Sequence, residues 1–344
     1  MKATYHKHIL EFKRPSGTSR GVLKTKETWF ITIENNGKRG IGECGILRGL
    51  SADDRPNYQD QLQYTCQHIH KGLEVLYEEN KAFPSIQIGL EMAFKSLESN
   101  NPFILYPSAF TSGQAAISIN GLIWMGDKGF MKQQIKDKIS SGFSCIKLKI
   151  GALDFQTELE LLKRIRQNFS ERDIELRVDA NGAFTPTEAL EKLKQLSDYK
   201  LHSIEQPIKA GQFQEMAKLC EQTPLPIALD EELIGVFDDV KKKQLLQTIN
   251  PQYIILKPSF IGGFKGSDTW INLAEKQQIG WWITSALESN IGLNAIAQYT
   301  YLKQSKLPQG LGTGGLFTNN IKSPLQVKNG TLQYNTNTNW EFNF

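Results

Sequence analysis

A chain of 344 residues with 40% hydrophobic and 22% charged residues has ordinary globular usage, which excludes a disordered, collagen-like or disulfide-scaffold protein. Forty Lys and Arg against 36 Asp and Glu leave +4, spread along the chain without a basic block, so nucleic acid is not an expected partner. At about 150 residues per domain, the length suits two domains or one barrel with an addition.

In chain order, Met1 to Pro15 carries Lys2, Lys7, Glu11, Lys13 and Arg14 among its apolar residues. No apolar run anywhere approaches the roughly 18 residues of a membrane span, so a soluble, cytoplasmic protein with no membrane partner is expected. Cys44, Cys66, Cys145 and Cys220 form no CxxC pair and read as reduced thiols. Glu27 to Glu34 is β-branched and aromatic; Asn35, Asn36 and Gly37 then form a turn before Gly40 to Cys44, which predicts a hairpin. Helical spacing follows over Asn57 to Tyr77 and over Ser85 to Leu97, with Ile86, Leu90, Ala93, Phe94 and Leu97 on one stripe. This α+β region ends near Pro107.

From Ala115 onward, short apolar runs alternate with amphipathic stretches. The runs are Ala116 to Asn120, Cys145 to Ile150, Ile174 to Asp179, His202 to Glu205, Pro226 to Asp230, Tyr253 to Lys257 and Trp281 to Ser285. Helical text lies between them, as at Gln156 to Phe169, Thr187 to Leu196 and Thr269 to Gln278, and Thr185-Pro186-Thr187-Glu188 combines a capping box with Pro at the first helical position. Repeated strand–helix units require parallel strands. Seven or eight of them in about 200 residues predict a closed α/β barrel rather than an open doubly wound sheet. One of the adjacent Trp281 and Trp282 then points into the barrel and the other toward its helices. Gly310 to Gly315 satisfies GxGxxG but lacks the flanking strand and helix of a dinucleotide site, so it reads as a closing strand and turn.

Charged residues gather where the predicted strands end: Lys147 and Lys149, then Asp179, Glu205, Asp230 and Lys257, spaced 25 to 32 residues apart from Lys147 onward. In a barrel these ends share one mouth, where active sites of this architecture lie. Any one carboxylate alone could be a helix N-cap or a surface ion-pair member. Three in register, without His or Cys nearby, make a hard oxygen site suited to Mg²⁺. Lys147 and Lys149 are two apart on one strand and share a face, about 7 Å apart along it. Mutual repulsion and a nearby cation are expected to depress their pKa, leaving neutral amine able to accept a proton. A metal with opposed lysines suits removal of a proton α to a carboxylate through an enediolate.

The segments Lys147-Leu148-Lys149-Ile150-Gly151, Arg177-Val178-Asp179-Ala180-Asn181-Gly182, Ser203-Ile204-Glu205-Gln206-Pro207, Ala228-Leu229-Asp230-Glu231 and Leu256-Lys257-Pro258-Ser259 resemble the muconate-lactonizing subgroup of the enolase superfamily. Ser285-Ala286-Leu287-Glu288-Ser289-Asn290-Ile291-Gly292-Leu293 and Gln309-Gly310-Leu311-Gly312-Thr313 are similar to the o-succinylbenzoate synthase family of that subgroup. The resemblance implies a modified TIM barrel, (β/α)7β, over residues 111–320. It also implies an N-terminal α+β capping domain over 1–110, with 321–344 packing back on it. It implies Asp179, Glu205 and Asp230 as ligands of Mg²⁺, with Mn²⁺ as the alternative cation. It implies Lys149 as base and then acid in the syn dehydration of 2-succinyl-6-hydroxy-2,4-cyclohexadiene-1-carboxylate to o-succinylbenzoate, a step of menaquinone biosynthesis. Lys257 would stabilise charge, and Lys147 would position Lys149.

An N-succinylamino acid racemase, with Lys149 and Lys257 on opposite faces of the substrate, is the alternative within the subgroup. A His–Asp base is argued against because all five histidines precede the fifth barrel strand and His202 opens the fourth. A dipeptide epimerase would show Asp-x-Asp where this chain has Leu311-Gly312-Thr313. A small-molecule dicarboxylate needs further donors, for which Asn181, Ser259, Gly262, Ser285, Ser289 and Asn290 are candidates, the last two at a helix start. The cap loops Pro15 to Arg20 and Leu47 to Arg55 are expected nearby, with Arg14, Arg20, Lys24 and Arg48 as candidate anion partners. Oligomeric state is not encoded in any of these signals.

Overall fold

The computed structural model describes residues 1–18 and 21–343. The chain opens with a three-stranded antiparallel sheet, β1 (Lys2–Thr18), β2 (Gly21–Asn35) and β3 (Lys38–Cys44), in that order. Asn36 and Gly37 turn the β2–β3 hairpin at φ 50° and 77°, the left-handed pair that a two-residue turn requires. Helices α1 (Tyr58–Gln67), α2 (Leu73–Glu79) and α3 (Pro84–Glu98) cover one face of the sheet.

The α3 stripe of Ile86, Leu90, Ala93 and Leu97 is buried against Trp29, Ile31 and Ile33 of the sheet. Ile88 and Met92 on its other side join the barrel core. The helix is thus a two-sided spacer between cap and barrel. Its seat on β3 is backbone against backbone, since a Cβ at Gly42 would lie 1.9 Å from the carbonyl oxygen of Gly89. Gly42→Ala is therefore expected to destabilise the fold by about 3 kcal/mol or more, as overpacking does when the obstacle cannot rotate away. Thermal denaturation checks this.

Asp53 fixes the loop before α1 to the start of α3, accepting hydrogen bonds from the Ser85 amide (2.9 Å) and hydroxyl (2.6 Å). Burial pushes its carboxyl up to about 6 from an ordinary 3.8. The folded chain thus holds this proton more tightly than the unfolded one. The associated stability is complete below pH 3.8 and lost as pH rises through about 6. Asp53→Asn should flatten that part of the Tm-versus-pH curve.

The expected first barrel strand, Ala116 to Asn120, is corrected by the structure. Only β4 (Ala116–Ser118) is extended, and it pairs antiparallel with β13 (Thr331–Tyr334), itself in a hairpin with β12 (Leu325–Lys328). Its alternation of exposed Ala116 and Ser118 with buried Ile117 and Ile119 is that of a half-solvated antiparallel strand, not of one buried on both faces. The barrel begins with β5 (Gly121–Ile123).

Parallel strands β6 (Cys145–Lys149), β7 (Glu175–Asp179), β8 (Ser203–Glu205), β9 (Ile227–Leu229), β10 (Tyr253–Leu256) and β11 (Gly280–Ile283) follow in sequence order. The helices that return the chain between them include α4 (Lys128–Ser140), α5 (Phe155–Asn168), α6 (Pro186–Ser197), α7 (Phe213–Gln222), α8 (Asp239–Ile249) and a helical pair, α9 (Pro258–Ile261) and α10 (Gly263–Lys276). After β11 comes α11 (Asn290–Leu302).

Gln309 and Gly310 then close the ring, bridging Ile119 on one side and Thr284 on the other. The GxGxxG run is accordingly a closing segment and a short turn at Gly314–Leu316. Inside the barrel, Trp282 packs with Ala228 and Ile255, while Trp281 joins the outer core among the helices. The Arg177 guanidinium lies 4.2 Å above the Trp282 ring. A cation–aromatic plate therefore floors the barrel beneath its mouth.

Beyond the C-terminal hairpin, Trp340 stacks on Phe103 (4.5 Å) and Phe342 packs edge-on against Phe30 of β2 (5.4 Å). Among the described residues no helix is long and apolar enough to cross a membrane.

Candidate active site

Strand direction brings the predicted charged residues together. Lys147 and Lys149 are the inward residues at the end of β6, Asp179 and Glu205 end β7 and β8, and Asp230 and Lys257 directly follow β9 and β10. Asn181 and Gln206, just past β7 and β8, take left-handed conformations (φ 44° and 41°) that turn the chain off the sheet. Asn tolerates this geometry better than most side chains. A cavity of about 390 Å³ opens at this mouth, bounded by Lys147, Lys149, Asp179, Asn181, Lys257 and Ser285. Gly21–Leu23 and Leu47–Leu50 of the cap roof it, and Phe260, Leu122 and Leu287 supply apolar wall.

The polar contacts form one network. Asp179 Oδ2 accepts from Lys149 Nζ (2.8 Å) and forms an ion pair with Lys147 Nζ (3.0 Å). Lys147 also pairs with Glu205, and Lys257 pairs with Asp230. Lys149 Nζ donates in addition to Asn181 Oδ1 (2.6 Å), and Asn181 Nδ2 donates to Glu231 Oε1 (3.1 Å). Asp179, Glu205 and Asp230 are 1–2% exposed, so three buried carboxylates face three lysine ammonium groups.

The expected depression of lysine pKa does not hold for Lys147. Burial works in that direction, but the Asp179 and Glu205 carboxylates outweigh it and raise the value. Lys257 is likewise raised, with burial opposed by Asp230 and Glu205. Repulsion between the lysines matters less than the carboxylates interposed between them. Glu205 carries the converse effect: burial, then the neighbouring Asp179 and Asp230, push its carboxyl up to about 8.

The donor set suits a hard divalent cation. Asp179, Glu205 and Asp230 come from three consecutive strand ends and offer oxygen only. Glu205 Oε1 is buried without a hydrogen-bond partner, its nearest cation being Lys257 Nζ at 4.0 Å. A buried carboxylate oxygen in that condition has room for an additional positive ligand. Among the described residues no three acidic, His or Cys side chains already converge as a cage. Here lysines engage each of the three carboxylates.

Other sequence candidates lie elsewhere. Ser259 is buried and donates to Glu288 Oε1 (2.5 Å), and the Gly262 carbonyl accepts from Tyr77 at the cap seam (2.6 Å). Ser289 donates to Glu43 Oε2 (2.5 Å), and Asn290 Nδ2 donates to the Ile321 carbonyl (2.6 Å). The α11 start offers no amide to a ligand at these positions, because the Ser289 and Gly292 amides are taken by Glu43 and the Asn290 amide by Asn320. Of the six substrate-binding candidates, Asn181 and Ser285 border the cavity. Arg48 also borders it, but its guanidinium is committed to Glu27 (2.5 Å) and Asp54 (2.8 Å). Arg20 lies outside the described residues. Sequence reasoning passed over Glu43, whose signal is a carboxylate inside the apolar run Ile41-Gly42-Glu43-Cys44.

The model described as enolase C-terminal domain-like matches residues 131–338, and that of the MenC N-terminal domain matches residues 3–97. An o-succinylbenzoate synthase of Desulfotalea psychrophila is 46% identical over 96% of this chain and 98% of its own length. The crystal structure of MenC from the same organism superposes with a TM-score of 0.86 at 42% identity, covering 97% of this chain and 99% of that one. A dipeptide epimerase of Enterococcus faecalis, complexed with Mg and a dipeptide, shares the fold at a TM-score of 0.84 and 20% identity, over 97% and 96% of the two chains.

Proposed function

The chain belongs to the o-succinylbenzoate synthase (MenC) family of the enolase superfamily, and on that premise we propose that it dehydrates 2-succinyl-6-hydroxy-2,4-cyclohexadiene-1-carboxylate to o-succinylbenzoate at the barrel mouth. The observation that carries this reading is the sharing of one cavity by Lys149 and Lys257 beside Asp179, with Glu205 and Asp230 directly behind.

Lys149 is the group that moves the proton. Asp179 and Asn181 fix its Nζ from two sides, so its remaining direction is into the cavity. As the neutral amine it takes the proton α to the ring carboxylate, and the C–H electron pair passes into that carboxylate as an enediolate. The ammonium so formed returns the proton to the departing ring hydroxyl. The C–O bond breaks, water leaves and the ring becomes aromatic. One base on one face suffices for a syn elimination. Lys257 holds positive charge against the enediolate and the ring face. Lys147, engaged by Asp179 and Glu205, positions Lys149 through their common oxygen.

Asp179, Glu205 and Asp230 would hold Mg²⁺, or Mn²⁺, which when bound supplies charge neutralisation for the substrate carboxylate and competes with the lysines for these oxygens. The apolar wall keeps water from the reacting carbons. The four unpaired thiols favour a reducing, cytoplasmic setting.

Incubation of the purified protein with this diene and Mg²⁺ should give the ultraviolet change of aromatisation. No product, under conditions in which the Desulfotalea enzyme converts the same sample, overturns the reading. Exchange of the α-proton of an N-succinylamino acid with solvent deuterium, with inversion and without diene turnover, would establish the racemase instead.

A further inference from the structure

Two carboxylates with no part in this chemistry are completely buried at the seam between cap and barrel. Glu43 lies near the end of β3, and all of its acceptor sites are used. Oε1 accepts from Thr28 Oγ1 (2.7 Å) and the Ser289 amide (2.8 Å), Oε2 from Ser289 Oγ (2.5 Å) and the Gly292 amide (2.7 Å). Glu288 accepts from Ser259 Oγ and Ser285 Oγ, each at 2.5 Å. The Lys26 ammonium from β2 is also buried there, and both carboxylates act on it electrostatically. Two glycines leave the room this needs: a Cβ at Gly45 would stand 2.9 Å from Glu288 Cγ, and one at Gly292 2.9 Å from Glu43 Oε2.

Between these anchors runs the turn from Ser285 to Ser289, which puts Ser285, Ala286 and Leu287 on the cavity wall. Leu287 has φ 65°, a left-handed conformation that is strained for leucine and persists only where its surroundings over-determine it. Glu288 ties the turn back to its own start at Ser285 and to Ser259 after β10. Glu43 reaches across from the cap and grips its end.

We propose that Glu43 and Glu288 are positioning residues for the substrate: they clamp the two ends of this strained turn, so that the seating of the capping domain sets the cavity wall formed by Ser285 and Leu287. The identity of the ligand in this proposal rests on the dehydratase reading; the clamp does not. Glutamine at position 43 offers one acceptor oxygen where the carboxylate offers two, so two of the four donors then face an amide NH₂. Glutamine at position 288 leaves the buried Lys26 ammonium opposed by Glu43, so one charge of each sign remains at the seam.

The test compares full-length Glu43→Gln and Glu288→Gln with the unsubstituted enzyme by steady-state kinetics, Mn²⁺ titration and hydrogen exchange of the 285–292 peptide. We expect KM to rise about five- to tenfold, the effect of losing one or two hydrogen bonds, with kcat changed by less than about threefold and Mn²⁺ affinity unchanged. Exchange across 285–292 should quicken. In the Glu43→Gln background, Leu287→Asn should slow it again, because Asn accepts the left-handed conformation more readily. Unchanged KM and exchange overturn the proposal, as does a loss of kcat and Mn²⁺ affinity together with KM. If Glu43→Gln does not fold, Ser289→Ala removes one of the four bonds together with the α11 N-cap bond from the Ile291 amide, keeps every charge and carries the same expectation. If the unsubstituted enzyme turns over no diene, the dehydratase reading has failed and the exchange measurement alone decides the clamp.

Discussion

Replacing Lys149 by Ala should lower kcat by about 10³–10⁴-fold, since in the proposed dehydration the same amine removes the α-proton and returns it to the leaving hydroxyl. The variant should still fold. Lys147 remains on Asp179 and Glu205, so no buried carboxylate loses its last cation. It should also bind Mn²⁺ at least as tightly as the unsubstituted enzyme does, because Lys149 supplies no oxygen ligand and its removal frees Asp179 of one competing cation. Lys149→Arg is expected to be almost as inactive, as a guanidinium keeps its proton throughout the accessible pH range. The checks are stopped-flow absorbance for the chemical step and a metal titration. Residual turnover within about tenfold of the parent would move the proton carrier elsewhere, with Lys257 the nearest alternative.

The second large effect is expected at the carboxylates. Glu205→Gln should reduce turnover by about 10²–10³-fold or more by withdrawing one anionic oxygen from the divalent site, and chelation of the unsubstituted enzyme should have the same effect, reversed by added Mg²⁺. Stability should change much less than activity. Glu205 already has a raised pKa through burial and its two acidic neighbours, and Lys147 keeps Asp179 as its partner when the Glu205 charge is removed. A Glu205→Gln variant that folds with a markedly lowered Tm but keeps its specific activity would mean that this carboxylate serves packing alone. Metal titration of the folded variant separates the two outcomes.

The barrel mouth was legible in the sequence because the charges that meet there lie at the last residue of an apolar run or the next one along, except Lys147, which stands two residues before the end of β6 on the same face as Lys149. Strand periodicity alone then fixes the face on which each lies. Lys147, Lys149, Asp179, Glu205, Asp230 and Lys257 reached one place by that logic. Two things resisted it. Ala116 to Asn120 was an apolar run of the right length, but its alternation belonged to an antiparallel strand completed by Thr331–Tyr334, more than 200 residues later.

The cap–barrel seam resisted for the same reason in stronger form. Glu43 is 246 residues from the Ser289 hydroxyl that it accepts, and no local pattern links them. Ser259, Ser289 and Asn290 stood as ligand donors in the sequence because they follow barrel strands. The Ser259 and Ser289 hydroxyls and the Asn290 NH₂ donate instead to protein partners. Arg48 likewise carried the charge sought for an anionic substrate, and two acidic neighbours already hold it. Polar residues near a barrel mouth divide between ligand and interface by contacts that only the folded chain reveals.

In the proposed enzyme, Lys149 and Lys257 flank a cavity whose base is a divalent cation held by Asp179, Glu205 and Asp230. Anomalous diffraction from crystals grown with Mn²⁺ and o-succinylbenzoate tests it most directly. One strong manganese peak is expected within coordinating distance of oxygens from all three carboxylates, with the aromatic ring between the two lysine ammonium groups. Manganese bound elsewhere, or a ring lying outside the space between Lys149 and Lys257, would contradict it.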